Sequence, residues 1–313
     1  MKKKIAVVCC WLFVSLPSSV LAKPLTLILD WLINPDQAAV FIAQAQGYFH
    51  AAGVEVQIVV PTSPDDGAKL VAAGQADLAI TYQPQWLMQV AAGLPLVRIA
   101  TLIDQPLNCL LASSDSGINQ LSDLKGKRIG YASQSESRLI LQSLLNKAGL
   151  TLNEVNAINV QYNLVQALLS KRLDAITGAM RNVEPLQIRF AGQAVKIFPI
   201  ETVLPEYDEL IVVANKKNLT DPRLIKFLFA LQQASLFLEK NPEQSWQIWV
   251  RANPSLANEL THQIWQATLP YLAKNPLLFD RDRYQRFESF MFTHSLNQKR
   301  VTIADYAVNL LDN

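Results

Sequence analysis

The sequence has 313 residues, of which 50% are hydrophobic, and it carries 28 Lys and Arg against 26 Asp and Glu. A chain of this length and composition can bury the cores of two lobes of ordinary domain size. The near balance of charge argues against nucleic acid or an anionic membrane surface as the partner.

Residues 1–22 have the pattern of a secretory signal peptide: three lysines precede an apolar run that ends in Val-Leu-Ala before Lys23. The run is too short, and too interrupted by Ser and Pro, to cross about 30 Å of hydrocarbon as a helix. We therefore expect cleavage after about Ala22 and a soluble protein in a bacterial periplasm. The mature chain would lose three of the 28 basic residues, for a net charge of about −1, and retain only Cys109 of three cysteines, which excludes an intrachain disulfide.

The remaining chain alternates between predicted strands and helices. Strands are predicted at "LTLILD" (25–30), "VEVQIVV" (54–60), "ADLAIT" (76–81), "LPLVRIATL" (94–102), "KRIGYA" (127–132), "AINV" (157–160), "LDAIT" (173–177) and "ELIVVAN" (209–215). Helical patterns lie between most of these strands, and the chain is predicted to be mostly helical after the last one. Such alternation predicts an α/β fold of mainly parallel sheets flanked by helices.

One unit occurs in each half of this pattern. "KLVAAGQADLAITY" (69–82) and "QALLSKRLDAITGA" (166–179) both run from a helix end through a polar turn and an Asp into a small apolar strand. We therefore expect two similar lobes with a cleft between them. Lobe one would comprise 23–108 and 213–313, lobe two would comprise 109–208, and the crossings near 108–113 and 208–214 would form the hinge.

The join between the first strand and helix, "DWLINPDQ" (30–37), is crowded with polar side chains and a tryptophan. Asn34 is a good helix N-cap, Pro35 suits the first helical position, and Gln37 stands where a capping-box side chain reaches back. Ligands of open α/β sheets lie beyond the carboxyl ends of the strands, so this turn is also a candidate ligand site. Trp31 is then either lobe core or a platform for stacking.

Several stretches resemble a known family. They are "DWLINPDQAAVFIAQAQGYF" (30–49), "LVAAGQADLAITYQPQ" (70–85), "TLIDQPLN" (101–108), "SDLKGKRIGY" (122–131), "GAMRN" (178–182) with Glu184 behind it, and "YDELIVVAN" (207–215). The chain resembles the periplasmic solute-binding proteins of ABC importers, and among them the family that binds pyrimidine precursors of thiamine. The resemblance runs from about residue 25 to 215.

The resemblance implies a two-lobed, type II periplasmic binding protein with two hinge crossings and a helical C-terminal tail. It implies capture of a thiamine-related pyrimidine, of the hydroxymethyl or formylaminomethyl type, for a membrane permease and its ATPase. We expect a monomer that needs no cofactor or metal and catalyses no reaction.

A pyrimidine needs aromatic faces for stacking and polar groups in the plane of its ring. Trp31, Tyr82 and Tyr207 are the aromatic candidates, although Tyr207 could lie on the surface. Glu184 could accept from the exocyclic amine, or could be an exposed helix residue. Asn108 offers a donor and an acceptor, or holds a hinge turn. The other candidate contacts are Asp30, Asn34 and Asp208, and the Ser-rich loop 133–137 could hold an anion or a carbonyl group.

Three alternatives remain. The first is a related family of enzymes that make the thiamine pyrimidine; by resemblance they carry Lys and His where this chain has Thr81 and Gln85, and a shared His is replaced by Gln37. The second is the same scaffold with another solute, such as a sulfonate, nitrate or a riboflavin-like compound. The third is a sensory binding protein that contacts a receptor.

Overall fold

The computed structural model of the chain describes residues 23–297, 299–308 and 310, so the expected signal peptide lies outside the described residues. Its strands are β1 (Leu25–Ile28), β2 (Val56–Val59), β3 (Leu78–Tyr82), β4 (Leu96–Ile103), β5 (Asn108–Ser113), β6 (Arg128–Tyr131), β7 (Asn156–Asn159), β8 (Ala175–Met180), β9 (Val195–Pro199) and β10 (Leu210–Asn215). They form two five-stranded sheets, with the orders β2-β1-β3-β10-β4 and β7-β6-β8-β5-β9. We call the parts of the chain built on these sheets the first and second lobes.

The helices that precede β10 are α1 (Ala38–Ala45), α2 (Tyr48–Ala51), α3 (Gly67–Ala72), α4 (Gln83–Ala91), α5 (Glu136–Lys147), α6 (Leu164–Leu169) and α7 (Glu184–Phe190). The C-terminal region contains α8 (Pro222–Lys240), α9 (Pro242–Ala252), α10 (Glu259–Thr268), α11 (Arg281–Thr293) and α12 (Ile303–Tyr306). The predicted α/β alternation and the helical C-terminal region are confirmed. In the described part of the chain, no helix is both long and apolar enough to cross a membrane.

Each sheet contains one antiparallel strand, and in each it is the strand that enters from the other lobe. β10 runs antiparallel to β3 and β4, and β5 runs antiparallel to β8 and β9. An antiparallel strand starts at the edge where its parallel neighbours end. Leu210 accordingly pairs with Tyr82, and Asn108 pairs with Met180. Both crossings therefore reach the carboxyl edges of the sheets, where ligands bind in open α/β folds.

Continuous apolar strands produce the buried centre of each sheet. β3, β4 and β10 are buried along their whole length, as expected of strands that are covered on both faces. Helices α8, α9 and α10 add Phe227, Trp249 and Trp265 to the core that contains β1 and α1. Two strands were not predicted. β5 was assigned only to the first crossing, although it is a buried strand of the second sheet. The edge strand β9 was missed because its partly exposed side chains do not form the apolar run that marked the central strands.

Candidate functional site

A cavity of about 250 Å³ lies between the two lobes at the carboxyl edges of the sheets. The turn after β1, the end of β3, the end of β8 and the start of α7 form its wall, with one residue from the C-terminal region. Its lining residues are Asp30, Trp31, Leu32, Ile33, Asn34, Asp36, Tyr82, Gly178, Met180, Val183, Glu184, Gln187 and Leu256. Five of the predicted site residues are thus brought together here.

The turn after β1 has the predicted helix start. Asn34 is extended at φ −152°, and its Oδ1 accepts a hydrogen bond from Asp36 N at 2.7 Å. Asn34 N donates to Gln37 Oε1 at 3.1 Å, which completes the capping box, with Pro35 at the first helical position. Asn34 Nδ2 donates to Leu32 O, so both polar atoms of this side chain are used within the turn. The capping role is confirmed, and ligand contact by Asn34 stays a prediction.

Gln37 also joins this helix start to Asp30. Its Nε2 donates to Asp30 Oδ1 at 2.8 Å, and Tyr82 OH donates to Asp30 Oδ2 at 3.1 Å. Burial raises the pKa of Asp30, although both hydrogen bonds oppose the shift. The three side chains form a connected frame that holds the Tyr82 ring in the cavity wall.

Asp36 links the turn to the second lobe and to the C-terminal region. Its Oδ1 accepts from Asn182 Nδ2 at 2.7 Å and from Thr268 Oγ1 at 3.1 Å. Burial, aided by the charge of Asp30, raises the pKa of Asp36 to about 7. This residue was not among the predicted contacts, although it stands in the same turn as Asp30 and Asn34.

Trp31 is half-buried, lines the cavity and packs across the cleft. Its ring centroid lies 4.6 Å from that of Tyr162 at an interplanar angle of 63°, which is an edge-to-face pair. Sequence reasoning missed Tyr162, which follows the carboxyl end of β7. The rule that drew attention to Trp31 after β1 would have found it. Tyr162 OH also donates to Pro61 O at 2.9 Å, which adds a contact between the lobes.

Glu184 begins α7 and faces the cavity from the second lobe. It is 7% exposed, so the alternative of an exposed helix residue is wrong. Its Oε2 accepts from Met180 N at 2.7 Å. Burial raises the pKa of Glu184 to about 7, with a smaller contribution from the charge of Asp36. Near neutral pH a carboxyl group with this pKa can be a carboxylate that faces a donor or a carboxylic acid that faces an acceptor.

Tyr207 and Asp208 do not line the cavity. Tyr207 is 0% exposed, so a surface position is wrong; its ring packs on Phe287 and its OH donates to Glu209 Oε2 at 3.2 Å. Asp208 accepts from Thr101 Oγ1 and Tyr284 OH, both at 2.7 Å, and pairs with the Arg283 guanidinium. In the structure both residues brace the second crossing, and their predicted ligand contact remains a prediction.

Asn108 begins β5 at the first crossing and is 0% exposed. Its backbone N–H donates to Glu209 Oε2 at 2.9 Å. Within the described ranges neither its Nδ2 nor its Oδ1 has a hydrogen-bond partner. Asn108 does not line the 250 Å³ cavity, but Met180, its partner across the β5–β8 pair, does.

The Ser-rich loop closes on the first lobe. Asp65 accepts from Gln134 N at 2.9 Å and from Ser135 Oγ at 2.7 Å. Ser133 and Ser137 bond to each other, with Ser137 N donating to Ser133 Oγ at 3.0 Å. A carboxylate of the chain itself therefore occupies the donors that the sequence suggested for an anion or a carbonyl group.

The cavity is acidic. Asp30, Asp36 and Glu184 contribute three carboxyl groups, while none of the described lining residues is Lys, Arg or His. Buried carboxylates without a counter-cation repel an anion and favour a cation or a group that donates hydrogen bonds. The flat Trp31 ring beside these groups suits a planar ligand with N–H donors at its edge.

The comparisons with known proteins concern most of the chain. A family model described as NMT1/THI5 like matches residues 34–245. The sequence is 40% identical over 301 residues, 96% of each chain, to a Haemophilus influenzae protein named for thiamine biosynthesis. It is 27% identical over 248 residues, 78% of this chain and 75% of the relative, to the formylaminopyrimidine-binding protein of Halalkalibacterium halodurans. It is also 27% identical over 276 residues, 84% of each chain, to the 4-amino-5-hydroxymethyl-2-methylpyrimidine phosphate synthase of Legionella pneumophila.

Among solved structures, the alkanesulfonate-binding protein SsuA from Xanthomonas axonopodis pv. citri, bound to MOPS, is similar in fold. The TM-score is 0.70 at 16% identity, and the match covers 92% of this chain and 99% of that chain. At this identity the likeness concerns the fold alone, which is the two-lobed fold of periplasmic binding proteins. The family match covers more than half of the sequence. The chain therefore belongs to the NMT1/THI5-like family.

Proposed function

We propose that this protein is the substrate-binding component of an ABC importer, and that it captures a thiamine-related 4-aminopyrimidine of the hydroxymethyl or formylaminomethyl type. The observation that carries the proposal is the composition of the cavity: the aromatic rings of Trp31 and Tyr82, three carboxyl groups and no basic side chain among the described lining residues. The named relatives support the same ligand class.

An aminopyrimidine complements this cavity in two directions. Its face would lie on Trp31, and stacking of a base-like ring on an aromatic side chain contributes about 1–3 kcal/mol. Its edge would point to Glu184. When the ring nitrogen beside the exocyclic amine is protonated, two parallel N–H groups can donate to the two oxygens of one carboxylate, and charge-assisted pairs of this kind are the strong ones.

The same cavity disfavours the other solutes that were considered. A sulfonate or nitrate would have to approach Asp30, Asp36 and Glu184 without a basic partner among the described lining residues. Burying an anion here costs free energy from desolvation, and each of the three acids that is ionised adds repulsion. A riboflavin-like ligand is planar, but its ring system is larger than a single pyrimidine.

The enzyme alternative lacks the groups that its chemistry requires. By resemblance, the synthases hold a pyridoxal cofactor on a lysine, whereas Thr81 has no amine with which to form an imine. Gln85, at the position of their histidine, is an amide and cannot supply the imidazole that, by resemblance, these enzymes consume. Both side chains are buried in the structure. We therefore propose a binding protein with no catalytic residues and no cofactor.

The proposed mechanism is closure of two lobes, 23–108 with 213–313 and 109–208, about the crossings near 108–113 and 208–214. Ligand would dock on one lobe, and the other would close over it, as described for hinge motions of periplasmic binding proteins. Bonds such as Asp36 to Asn182 and Asp65 to Ser135 would form at closure. We propose a monomer in the periplasm that presents the closed form to a permease and its ATPase.

A thermal-shift and titration screen tests the proposed ligand class. Hydroxymethyl- and formylaminomethyl-pyrimidines would be compared with taurine, nitrate and riboflavin. A ligand at a hundred times its Kd should add about 2.7 kcal/mol to the free energy of unfolding. We expect stabilisation by the pyrimidines alone. Stabilisation by taurine or nitrate, with none by a pyrimidine, would contradict the proposal.

A further inference from the structure

A second cavity, of about 350 Å³, lies between the last turn of α5 in the second lobe and the last turn of α11 in the C-terminal region. We call it the rear cavity, to distinguish it from the 250 Å³ ligand cavity. Its apolar wall is formed by Val203, Phe290 and Leu296, each of them half-buried, and polar side chains such as Ser143 and Asn146 lie at its rim. The rear cavity shares no lining residue with the ligand cavity.

Helix α11 is held by the first lobe on both of its flanks. At its start, the ring of Tyr284 packs edge-to-face on Trp86 of α4, with 6.2 Å between the ring centroids. After α11 the chain returns to the same place, where Tyr306 also packs edge-to-face on Trp86, at 5.3 Å. The next residue, Ala307, forms a β-bridge with Arg98 of β4. We therefore expect α11 to move with the first lobe, while its last turn faces α5 of the second lobe.

The rear cavity and the ligand cavity lie on opposite faces of the second sheet. Strand β5 enters this sheet from the first crossing, and its side chains alternate between two cores. Leu110 packs in the core that contains Ile140 of α5, and Leu111 packs in the core that contains Ile188 of α7. The ligand cavity takes its second-lobe wall from the end of β8 and the start of α7, whereas the rear cavity takes its own from α5. The first crossing therefore lies between them.

The second crossing has the same arrangement. Leu210 is paired with Tyr82, which lines the ligand cavity. Three residues earlier, the ring of Tyr207 packs on Phe287 of α11, with 5.1 Å between the ring centroids. Both crossings thus lie between the ligand cavity and α11. A rotation about the crossings that brings the lobes together on the side of the ligand cavity must separate them on the side of α11.

The lobes are joined differently on the two sides of the crossings. On the side of the ligand cavity, hydrogen bonds such as that from Asn182 Nδ2 to Asp36 Oδ1, at 2.7 Å, connect them. At the rear cavity the polar groups bond within their own part of the chain. Lys147 Nζ donates to Thr202 O at 2.9 Å, and His294 Nδ1 lies 2.9 Å from a carbonyl oxygen of α11 itself. The apolar walls of the rear cavity would gain dispersion contacts if they approached each other. This is the arrangement expected of the closed form.

We propose that the rear cavity narrows when the ligand cleft opens and widens when it closes, so that the packing of α11 on α5 in the open form sets ligand affinity without contact to the ligand. The open form would bury more of Val203, Phe290 and Leu296, and burial of apolar area favours that form. The apparent affinity is reduced by the fraction of the protein that is closed without ligand. The inference rests on the proposed closure of the two lobes.

Spin labels on the two lobes measure this equilibrium without ligand. Labels at Gln44→Cys of α1 and Gln166→Cys of α6, both exposed, report the width of the cleft, and the native Cys109 is buried. Ser143→Trp places a large side chain in the rear cavity and should raise the closed fraction about threefold or more, because overpacking disfavours the form in which this cavity is narrow. Gln142→Trp, at an exposed neighbour that does not line the rear cavity, is the matched control and should leave the closed fraction unchanged. An unchanged or smaller closed fraction in Ser143→Trp would overturn the inference.

Ligand binding provides a second readout, with 4-amino-5-hydroxymethyl-2-methylpyrimidine as the probe. Ser143→Trp should bind it about threefold or more tighter than the wild-type protein. Phe290→Ala removes apolar surface that the open form buries, so it should also tighten binding, and it replaces Ser143→Trp in both experiments if that variant does not fold. A merely structural role would leave the affinity unchanged or lower it, and such a result in both variants would overturn the inference.

The same measurements separate this inference from the proposed function. If the label distance stays fixed when the probe saturates the wild-type protein, the proposed closure is wrong. If the distance changes with the probe but not with Ser143→Trp, only the role of the rear cavity is wrong. If the probe binds neither the wild-type protein nor the variants, the proposed ligand is wrong, and the label distances without ligand still decide the role of the rear cavity.

Discussion

The two walls of the cleft use their polar groups differently. In the first wall, the turn after β1, Asp30 is bonded to Gln37 and Tyr82, and Asn34 to Asp36 and Leu32, all within one lobe. The side chain of Asp36 in this turn instead bonds across the cleft to Asn182. The second wall is formed by the second lobe and the crossings. There Glu184 and Glu136 are buried acids, and the amide of Asn108 has no partner in the described part of the chain.

The difference assigns separate tasks to the two walls. A fully bonded frame fixes the shape of a site and orients the Trp31 platform. Buried groups with unused hydrogen-bonding capacity destabilise the folded state, and they are expected where a ligand is recognised by hydrogen bonds. We infer that the first wall determines shape and the second wall determines which substituents are accepted.

The largest expected effect is a difference in the free energy of unfolding between a variant of the first wall and a variant of the second wall. Gln37→Ala removes the capping bond to Asn34 N and the donor to Asp30, and should lower the free energy of unfolding by about 2–4 kcal/mol. Asn108→Leu replaces an amide without a described partner by an apolar group of similar size, and should be close to neutral or stabilising. Urea denaturation of both variants measures this. A larger loss of the free energy of unfolding in Asn108→Leu than in Gln37→Ala would contradict the different roles assigned to the two walls.

The pH dependence of stability should come mainly from the buried acids. In the folded state the pKa of Asp36 and of Glu184 is raised to about 7, so the folded protein binds more protons than the unfolded chain between about pH 4 and pH 7. Stability without ligand is therefore greatest in the acidic part of this range and falls as the pH rises through it, by up to about 3–4 kcal/mol per group. Denaturation between pH 4.5 and pH 8 measures the slope. Glu184→Gln should reduce the slope of stability against pH. An unchanged slope would show that Glu184 does not contribute to the pH dependence.

Stacking gives the next effect. Trp31→Ala should weaken binding of any flat aromatic ligand by about 1–3 kcal/mol, with or without an exocyclic amine. Tyr162→Phe keeps the ring against Trp31 and removes only the hydroxyl that bonds to Pro61 O. It should affect affinity much less. Titration calorimetry compares the two variants, and parental affinity in Trp31→Ala would make Trp31 a packing residue only.

The smallest effect concerns the mouth of the cleft. Asp65→Asn weakens the bonds to Gln134 N and Ser135 Oγ between the lobes, and should cost about 0.5–1.5 kcal/mol of ligand affinity through a faster off-rate. Stopped-flow fluorescence with bound ligand measures the rate. Asp115→Asn, which removes an exposed surface ion pair of the second lobe, serves as the control. An unchanged off-rate would show that these bonds do not hold the closed form.

The local features of the molecule and its fold class could be predicted from the sequence, and the long-range contacts between particular side chains could not. The burial of the central strands follows from their own apolar runs, and the capping box at Asn34 depends on residues close to it in sequence. Tyr207 and Asp208 stand in a motif, but their partners include Phe287, Arg283 and Tyr284 of α11, which no local pattern connects to them. The bonds of the Glu209 carboxyl to the N–H groups of Leu107 and Asn108 likewise depend on the way in which the two crossings come together. Proximity of this kind is a property of the fold and has no signature at either residue.

The central claim is that the cleft reads an aminopyrimidine through Glu184 of the second wall. Titration calorimetry of wild type and Glu184→Gln against a 4-aminopyrimidine and its desamino analogue tests it most directly. Replacing one carboxylate oxygen by an amide donor should cost about 1.5–3 kcal/mol with the amine and change the affinity for the desamino analogue much less. If Glu184→Gln weakens both ligands equally, or neither, Glu184 does not read the amine and the account of the second wall is wrong.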